Sequence, residues 1–381
     1  MNSRELLERL VAFPTVSRNS NLELIEFVQA FLCGLGASCQ MVRDQSARKA
    51  NLYATLGPRD KSGIMLSGHT DVVPVDGQAW AGDPFALRQR GDRLYARGSA
   101  DMKGFLACAL AAAERAANRR FAVPLHLAFS YDEEVGCLGV RSLIDAMGGW
   151  AQRPHCCIVG EPTLLQTAIG HKGKTALKAT CRGHAAHSAN PAKGINAIQL
   201  ASKLVGCVEA LQAEVAANGR RDSAYEVPYT TLHVGVIAGG TSVNIVPDCC
   251  EIDLEIRNLE ADDPARLIDR LREDGRSIVA ASSRQGMRAE IELEVMNAYP
   301  ALDTPADAAV VAMVASLTGQ RETFKVAFGT EGGLFSDRLG IPSIVCGPGS
   351  IDQAHKPDEF IAVDQMQRCD RLLDALIERL I

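Results

Sequence analysis

The sequence predicts an α/β protein in which a small βαββαβ unit is inserted into a larger, doubly wound domain. In residues 1–171, short apolar runs alternate with helical patterns, as in a parallel sheet covered by helices. In residues 172–296, apolar and polar residues alternate within strand-like segments, which is typical of antiparallel strands with one solvated face. The first pattern then returns, so residues 1–171 and 297–381 are expected to form one domain around the insertion.

The first region contains the segments that a doubly wound layer needs. The opening residues carry acidic side chains within an apolar pattern and are interpreted as a helix. Leu22 to Leu35 is amphipathic and Gly104 to Ala117 is rich in alanine, so both are predicted to be helical. Three short apolar runs are predicted to be buried strands, namely Ile64 to Leu66, Leu125 to Tyr131 and Cys156 to Val159.

The inserted region has the element order β-α-β-β-α-β, which is that of a ferredoxin-like unit. Its helices are expected at Ile195 to Val215 and at Ala265 to Ala281, the second capped by Asp263 and opened by Pro264. Its strands are expected at Thr175 to Cys181, Thr231 to Ile237, Cys250 to Arg257 and Ala289 to Val295. After the insertion, the chain is predicted to form a helix at Ala306 to Leu317, a strand at Ile344 to Cys346 and a helix at Val363 to Ile381.

The composition of the chain indicates which kind of molecule it binds. The 381 residues are 47% hydrophobic and 23% charged, as in a globular enzyme, and suit two domains. A net charge of -6 and a pI near 5.8 give no basic surface for nucleic acid or for an anionic membrane. A small-molecule substrate is therefore expected, with neither nucleic acid nor membrane as a partner.

The N-terminus and the cysteines both indicate a cytoplasmic protein. The opening MNSRELLERLVAF lacks the uninterrupted apolar core of a signal peptide, and no stretch approaches the roughly 20 apolar residues of a membrane span. The twelve cysteines show no C-x-x-C spacing, and several lie inside apolar runs, such as Cys33, Cys108, Cys207 and Cys346. They are interpreted as buried free thiols rather than disulfides.

Acids and histidines follow the predicted buried strands. His69 and Asp71 follow the first, Glu133 and Glu134 the second, and Glu161 the third. Since ligands collect beyond the carboxyl ends of parallel strands, these side chains are expected to meet at one sheet edge. Two further segments supply Asp101 and His355.

So many carboxylates at one edge would repel one another without a cation, and a metal site resolves this. Imidazole and carboxylate suit zinc, while cobalt and manganese remain alternatives, and two ions could share one carboxylate. Asp101 is the predicted bridge, with His69, Glu134, Glu161 and His355 as the other ligands. Taken singly, His-x-Asp is usually a strand-end turn, Glu-Glu a helix start and Gly-Glu-Pro a loop; the prediction rests on their combination.

Two acids are predicted to act without binding metal. Asp71 is expected to hold the tautomer of His69, because a metal-bound histidine usually donates its second nitrogen to a carboxylate. Its alternative is a turn cap. Glu133 adjoins a predicted ligand, so it can reach the attacking water as a general base.

Four segments together resemble the signatures of the M20 metallopeptidases: Gly-His-Thr-Asp-Val-Val-Pro at 68–74, Gly-Ser-Ala-Asp-Met-Lys-Gly at 98–104, Asp-Glu-Glu-Val-Gly at 132–136 and Gly-Glu-Pro-Thr at 160–163. The resemblance covers essentially the whole chain. It implies a zinc-hydrolase domain in which Asp101 bridges two zinc ions, with His69 and Glu161 at one and Glu134 and His355 at the other. It also implies a cis peptide after Asp101, Glu133 as proton shuttle, and an inserted lid through which the chain forms a homodimer.

A finer resemblance is to the acetylornithine deacetylases of that family, through Phe-Pro-Thr-Val-Ser at 13–17, Phe-Gly-Thr-Glu-Gly-Gly-Leu at 328–334, Cys-Gly-Pro-Gly-Ser-Ile at 346–351 and His-Lys-Pro-Asp-Glu at 355–359. Gly332 departs from the alanine expected there. The resemblance implies hydrolysis of N2-acetyl-L-ornithine to ornithine and acetate, a step of arginine biosynthesis. Glu161, where aminopeptidase-like relatives tend to carry aspartate, favours the deacylases and carboxypeptidases.

The same resemblance assigns roles in the inserted region. The His-x-x-x-Pro spacing selects His187 as the donor that stabilises the oxyanion, and His184 is interpreted as a surface residue. Asn244 and Arg257 match substrate-binding positions, where Arg257 could pair with an α-carboxylate or be an ordinary strand-surface arginine. In the larger domain, Gly329 and Thr330 are also expected to bind substrate, and Glu331 is a candidate partner for the ornithine ammonium.

Two other functions fit the same residues. A succinyl-diaminopimelate desuccinylase, glutamate carboxypeptidase or general N-acyl amino acid hydrolase would use the same metal centre. A non-hydrolysing binding protein on this scaffold would have no need for Glu133, so an intact base argues against that class.

Overall fold

The computed structural model describes residues 1–284 and 286–381 and divides into two compact units. The first unit comprises Met1–His171 and Leu302–Ile381, and the second comprises Lys172–Ala301. Residues 297–301 thus belong to the second unit, although the sequence assigns them to the first. The reason is a strand that continues past the predicted end at Val295 to Tyr299, through an irregularity between Val295 and Asn297.

The strands and helices alternate along the first unit and surround those of the insertion. The strands are β1 Ser38–Arg43, β2 Ala50–Leu56, β3 Ile64–His69, β4 Arg88–Arg90, β5 Arg93–Tyr95, β6 Leu125–Ser130, β7 Cys156–Pro162, β8 Thr167–His171, β9 Gly173–Arg182, β10 Ala186–His187, β11 Thr231–Gly239, β12 Ile245–Val246, β13 Cys249–Asn258, β14 Glu290–Tyr299, β15 Leu302–Asp303, β16 Thr323–Val326, β17 Ser343–Gly347 and β18 Phe360–Ala362. The α-helices are α1 Ser3–Val11, α2 Leu22–Gly34, α3 Lys103–Ala116, α4 Val140–Gly148, α5 Ala197–Asn218, α6 Pro264–Ser282, α7 Ala309–Thr318, α8 Gly332–Leu339 and α9 Val363–Glu378.

The first unit is built on a mixed sheet in the order β1-β2-β6-β3-β7-β17-β8-β15, with β16 paired to β8. Strand β3 runs parallel to both β6 and β7, so the carboxyl ends of these three strands lie at one edge. The sequence does not predict β2, whose residues are buried yet include Asn51. The side chain of Asn51 finds its partner far along the chain, donating to the Gly139 carbonyl at 2.8 Å.

The burial of helix α3 explains why its sequence is rich in alanine. It is buried along almost its entire length and packs against α1, α9 and the sheet, so small side chains let these elements approach closely. Where β7 passes α3, Gly160 has no room for a side chain, since a Cβ there would lie 2.0 Å from the Phe105 ring. The close approach holds the ligand-bearing strand ends against a rigid helix.

The second unit has the predicted βαββαβ order, in a sheet arranged β11-β13-β9-β14. Residues of β9 are alternately buried and half-buried, so one face packs on the core formed with α5 and α6. Helix α6 begins as predicted, with the Asp263 carboxylate accepting from the Ala265 N–H and Pro264 in the first turn. The doubly wound domain with a ferredoxin-like insertion is therefore confirmed.

All twelve cysteines are free, and eight of them are buried. The expectation of buried thiols is wrong for Cys33, which is exposed near the end of α2, and only partly right for Cys207, which is half-buried on α5. An apolar run along a helix includes positions on its outer face, which these cysteines occupy. The described residues contain no helix long and apolar enough to cross a membrane.

Candidate metal centre

The predicted ligands of the first unit converge at the carboxyl edge of β3, β6 and β7. Ligand atoms of His69, Glu133 and Glu161 lie within 4.8 Å of one another, as do those of His69, Asp101 and Glu134. His69 ends β3 and Glu161 lies near the end of β7, whereas Glu133 and Glu134 follow β6. Parallel pairing of β3 with both neighbours brings these chain positions together.

Asp101 lies between the two histidines. Its Oδ1 is 3.1 Å from His69 Nε2, and its Oδ2 is 3.3 Å from His355 Nε2. Glu161 is 3.5 Å from His69 Nε2, and Glu134 is 3.0 Å from His355 Nε2. This geometry divides the five side chains into two sets that share Asp101, and the Asp101–Met102 peptide bond is cis, as the resemblance implies.

Asp71 contacts both the ring of His69 and the backbone of the segment that carries Glu133 and Glu134. His69 Nδ1 is 2.9 Å from the Asp71 carbonyl oxygen and 3.5 Å from the Asp71 carboxylate. The Asp71 carboxylate also accepts from the backbone N–H groups of Glu133 and Glu134, at 3.1 and 3.3 Å, and from the Ser17 hydroxyl at 2.7 Å. One buried acid therefore joins the first strand end to the segment that carries the predicted base.

Glu133 has a neighbour that the sequence analysis does not identify. The Cys137 thiol lies 3.4 Å from Glu133 Oε1 and is fully buried, with a left-handed backbone φ of 54°. The only signal in the sequence is its spacing of four residues from Glu133, which is too common to single out a cysteine.

The electrostatics of the cluster show an excess of acid. Burial raises the pKa of Glu133 to about 8 and that of Glu134 to about 7, with neighbouring carboxylates adding to both. Burial likewise raises the pKa of Glu161 well above its usual range. Hydrogen bonds to Asp101 and Glu134 raise the pKa of His355 to about 10.

Asp101 is the exception among the carboxyl groups. Burial by itself would raise its pKa, but hydrogen bonds with His355 and His69 lower the pKa below its ordinary value. A carboxylate that stays ionised between two imidazoles, with further buried acids around it, matches the donor set of a site for two divalent ions. The residues present thus fit such ions.

In the second unit, two predicted residues lie close together. His187 is in β10, paired with Ile245 of β12, and the Ser188 N–H donates to the Asn244 carbonyl at 3.0 Å. The Ala189 N–H donates to His187 Nδ1 at 3.1 Å, so the neutral imidazole carries its proton on Nε2. The His187 side chain is exposed and can present that N–H as a donor.

Arg257 lies at the other end of the inserted sheet. It pairs with Lys174 near the start of β9, whereas the segment before Cys249 pairs with Gly183, next to the His187 loop. The eight residues of β13 between these ends span roughly 26 Å. Within the second unit, therefore, the structure does not bring Arg257 together with His187 and Asn244.

The guanidinium of Arg257 already has partners. Its Nε is 3.0 Å from the Glu255 carboxylate, and its Nη1 donates to the Tyr299 hydroxyl at 3.0 Å. It lies on the half-solvated face of the strand, as predicted, but a substrate carboxylate would compete with Glu255 for it.

Gly329 and Thr330 precede helix α8, with Thr330 fully buried and its hydroxyl accepting from the Gly332 N–H at 3.1 Å. Glu331 is also buried, 3.3 Å from the Ser67 hydroxyl through one oxygen. Its other oxygen has no hydrogen-bond partner among the described residues. Burial raises the pKa of Glu331 to about 7. Glu331 is only 1% exposed, as is His69, so it lies buried with the proposed ligands, and its pairing with the ornithine ammonium stays a prediction.

Comparison with known proteins gives one family. The profile of peptidase family M20/M25/M40 matches residues 65–379. The chain is 34% identical to the acetylornithine deacetylase of Pasteurella multocida, over 98% of this chain and 96% of that protein. It is 36% identical to the acetylornithine deacetylase of Myxococcus xanthus, over 97% and 95%. Among solved structures, an M20 family metallo-carboxypeptidase from Sulfolobus solfataricus aligns with a TM-score of 0.79, covering 99% of each chain at 19% identity, a likeness of fold.

Proposed function

Because this chain belongs to peptidase family M20/M25/M40, we propose that it hydrolyses the acetyl amide of N2-acetyl-L-ornithine, giving ornithine and acetate. The chain is a metal-dependent amide hydrolase by family, and the named deacetylases among its near full-length relatives support this substrate. The observation that carries the chemistry is the position of Asp101 between His69 and His355, with Glu133 in the same cluster. The reaction would contribute ornithine to arginine biosynthesis.

Five residues would hold two divalent ions, of which zinc best suits the mixed nitrogen and oxygen donors, with cobalt as an alternative. They are His69, Asp101, Glu134, Glu161 and His355. Ions bound there would polarise the amide carbonyl and make a water molecule more acidic. Asp101 would belong to both sets of ligands, because each of its oxygens faces a different histidine.

Glu133 is the proposed general base and acid. Its carboxylate takes a proton from the attacking water as the C–O bond forms, and it returns the proton to the amine nitrogen as the C–N bond breaks. Asp71 positions this residue through the backbone N–H of Glu133 while also fixing His69.

His187 is proposed to stabilise the oxyanion that forms on the acetyl carbonyl, since its Nε2 carries a proton and the ring is exposed. Asn244 lies beside it and is proposed to bind the substrate. Arg257 is proposed to pair with the α-carboxylate, and Gly329 with Thr330 to contact the bound amino acid. Arg257 lies at the far end of the inserted sheet from His187 and Asn244. We therefore propose a homodimer in which His187 and Asn244 reach the metal centre of the partner subunit.

Strand β11 offers a surface for that dimer. It is an edge strand, and the side chains of Val236 and Ile237 are 54% and 50% exposed. An open strand edge with exposed apolar side chains pairs readily with another copy. We also propose a cytoplasmic location, on the sequence grounds given above.

Product analysis tests the substrate. The metal-loaded protein would be incubated separately with N-acetylornithine, N-acetylmethionine, N-succinyl-diaminopimelate and a dipeptide ending in glutamate. We expect kcat/KM for N-acetylornithine to exceed that for N-acetylmethionine at least ~10-fold, because one charge-assisted contact contributes about 1.5–3 kcal/mol. Equal rates would indicate a general acylase, and preference for the succinyl substrate would indicate a desuccinylase.

A further inference from the structure

His355 is held differently from the other proposed ligands. Its side chain is 53% exposed, whereas those of His69, Asp101, Glu134 and Glu161 are at most 7% exposed. It lies in an irregular segment between β17 and β18, with a left-handed backbone φ of 61°. Packing alone therefore does not fix the imidazole, and another group must hold its backbone.

Gln78 provides that contact. Its Nε2 donates to the His355 carbonyl oxygen at 3.1 Å. Its Oε1 accepts from Arg97 Nη2 at 2.6 Å and from the Trp80 indole N–H at 3.1 Å, so both ends of the amide are engaged and its orientation is fixed. The Arg97 guanidinium also lies 5.0 Å from the Trp80 ring centroid, which favours the same arrangement.

Arg97 extends the network to Asp101. It forms an ion pair with Glu359 at 2.7 Å, and both side chains are 1% exposed. The Glu359 carboxylate accepts from the backbone N–H groups of Gly98, Ala100 and Asp101, at 3.0, 2.8 and 3.1 Å. The backbone of the shared ligand is thus attached to the same buried pair that reaches His355 through Gln78.

A buried ion pair costs free energy to desolvate and is weak evidence of a gain in stability. What this pair does is fix two segments that are distant in sequence, residues 98–101 and 355–359, relative to each other. Groups behind the ligands of a metal site commonly change metal affinity by 10–100-fold when removed.

We propose that Gln78 is a positioning residue. Anchored by the Arg97–Glu359 pair, it holds the backbone of His355 in place relative to Asp101. It thereby sets the affinity of the metal position that His355, Asp101 and Glu134 would form. This rests on the metal centre of the proposed function. Gln78 touches neither metal nor substrate; it acts on the backbone of a ligand.

The test is a titration of the metal-free full-length protein with Co²⁺, monitored by calorimetry and by visible absorption. The wild-type protein should take up two ions, and His355→Ala should identify the event that depends on His355. Gln78→Leu should weaken that event ~10–100-fold and leave the other unchanged. Because Gln78 is half-buried, its hydrogen bonds are partly open to solvent, so the thermal midpoint of the metal-free variant should stay near that of the wild type.

Gln89→Leu is the matched control. Gln89 is exposed on β4, and its side chain donates to the Gly91 carbonyl at 3.0 Å rather than to either ligand segment, so the variant should bind both ions normally. Normal binding of both ions by Gln78→Leu would overturn the inference, as would an equal loss of both accompanied by a lower thermal midpoint. Uptake of fewer than two ions by the wild-type protein would instead contradict the proposed metal centre.

Discussion

Glu133 carries the proton transfers in the proposed reaction. It lies within 4.8 Å of the ligand atoms of His69 and Glu161. Replacing its carboxylate with an amide keeps the shape and removes the base. Glu133→Gln should therefore lower kcat by at least ~10²-fold, as expected for loss of an acid-base group, with the metal content measured by mass spectrometry unchanged. Near-normal turnover would contradict the assignment.

Another single residue, His126, is expected to contribute to the pH dependence of stability. It lies buried in β6 with Nδ1 3.0 Å from the Thr55 hydroxyl, and burial, together with His155, lowers its pKa to about 4. In the unfolded chain the histidine has its ordinary pKa near 6.5. As the pH falls, His126 is therefore protonated in the unfolded chain before it is protonated in the folded protein. The His126 contribution to the free energy of unfolding should be complete above pH 6.5 and should fall by up to about 3 kcal/mol as the pH drops to 4.

Denaturant unfolding of the wild-type protein and of His126→Gln at pH values from 7.5 to 4 checks this expectation. The difference between their free energies of unfolding isolates the histidine from the other titrating groups. A difference that does not change with pH would show that His126 takes no part.

Among contacts between elements, the one between β7 and α3 gives a direct test of the packing. A Cβ at Gly160 would meet the Phe105 ring at 2.0 Å, and Phe105 is itself buried. Gly160→Ala should thus lower the free energy of unfolding by about 1–3 kcal/mol or more, measured by denaturant unfolding. Adding Phe105→Leu should recover part of the loss, because the two residues share one space.

Gly34→Ala serves as the comparison within the same unit. Gly34 ends helix α2, and a Cβ there meets no atom within 4 Å among the described residues. This variant should be more stable than the wild type by about 0.4–1 kcal/mol, since alanine restricts the unfolded chain. Equal effects of the two glycine substitutions would mean that the close approach is absent in solution.

At the scale of the whole molecule, the proposed dimer makes a prediction about mixed subunits. His187→Ala alone should cost about 2.7–4 kcal/mol of transition-state stabilisation, the range for a lost oxyanion donor. If His187 acts on the partner subunit, a mixed dimer with Glu133→Gln has one intact centre. Random exchange at equal concentrations should then restore about one quarter of wild-type activity.

The exchange is followed by activity and by a size difference between tagged and untagged subunits. Purified mixed dimers that show no recovery would place His187 in the centre of its own subunit. A monomer in solution would contradict the dimer itself.

The order of the elements and the proposed ligands could be predicted because they depend on neighbours along the chain. His69, Glu134 and Glu161 end or follow buried strands, and parallel pairing brings such strand ends to one edge of the sheet, whereas Asp101 and His355 come from two other segments. The elements whose patterns are weak were missed, as for β2, where buried Asn51 depends on a partner on another element. The end of the insertion was misplaced because a strand irregularity interrupts the alternation of β14.

The sequence alone was enough to predict the fold class, the family, and the acids and histidines of the proposed metal centre. What holds these side chains in place became visible only in the tertiary structure. Gln78, Arg97 and Glu359 are ordinary polar residues in the sequence, and they act together only because folding buries them beside the Asp101 and His355 segments. The burial of Glu331 likewise depends on its contact with Ser67, more than 200 residues away. Local patterns record the preferences of short segments, whereas burial and hydrogen-bond partners are set by contacts between segments that are distant in sequence.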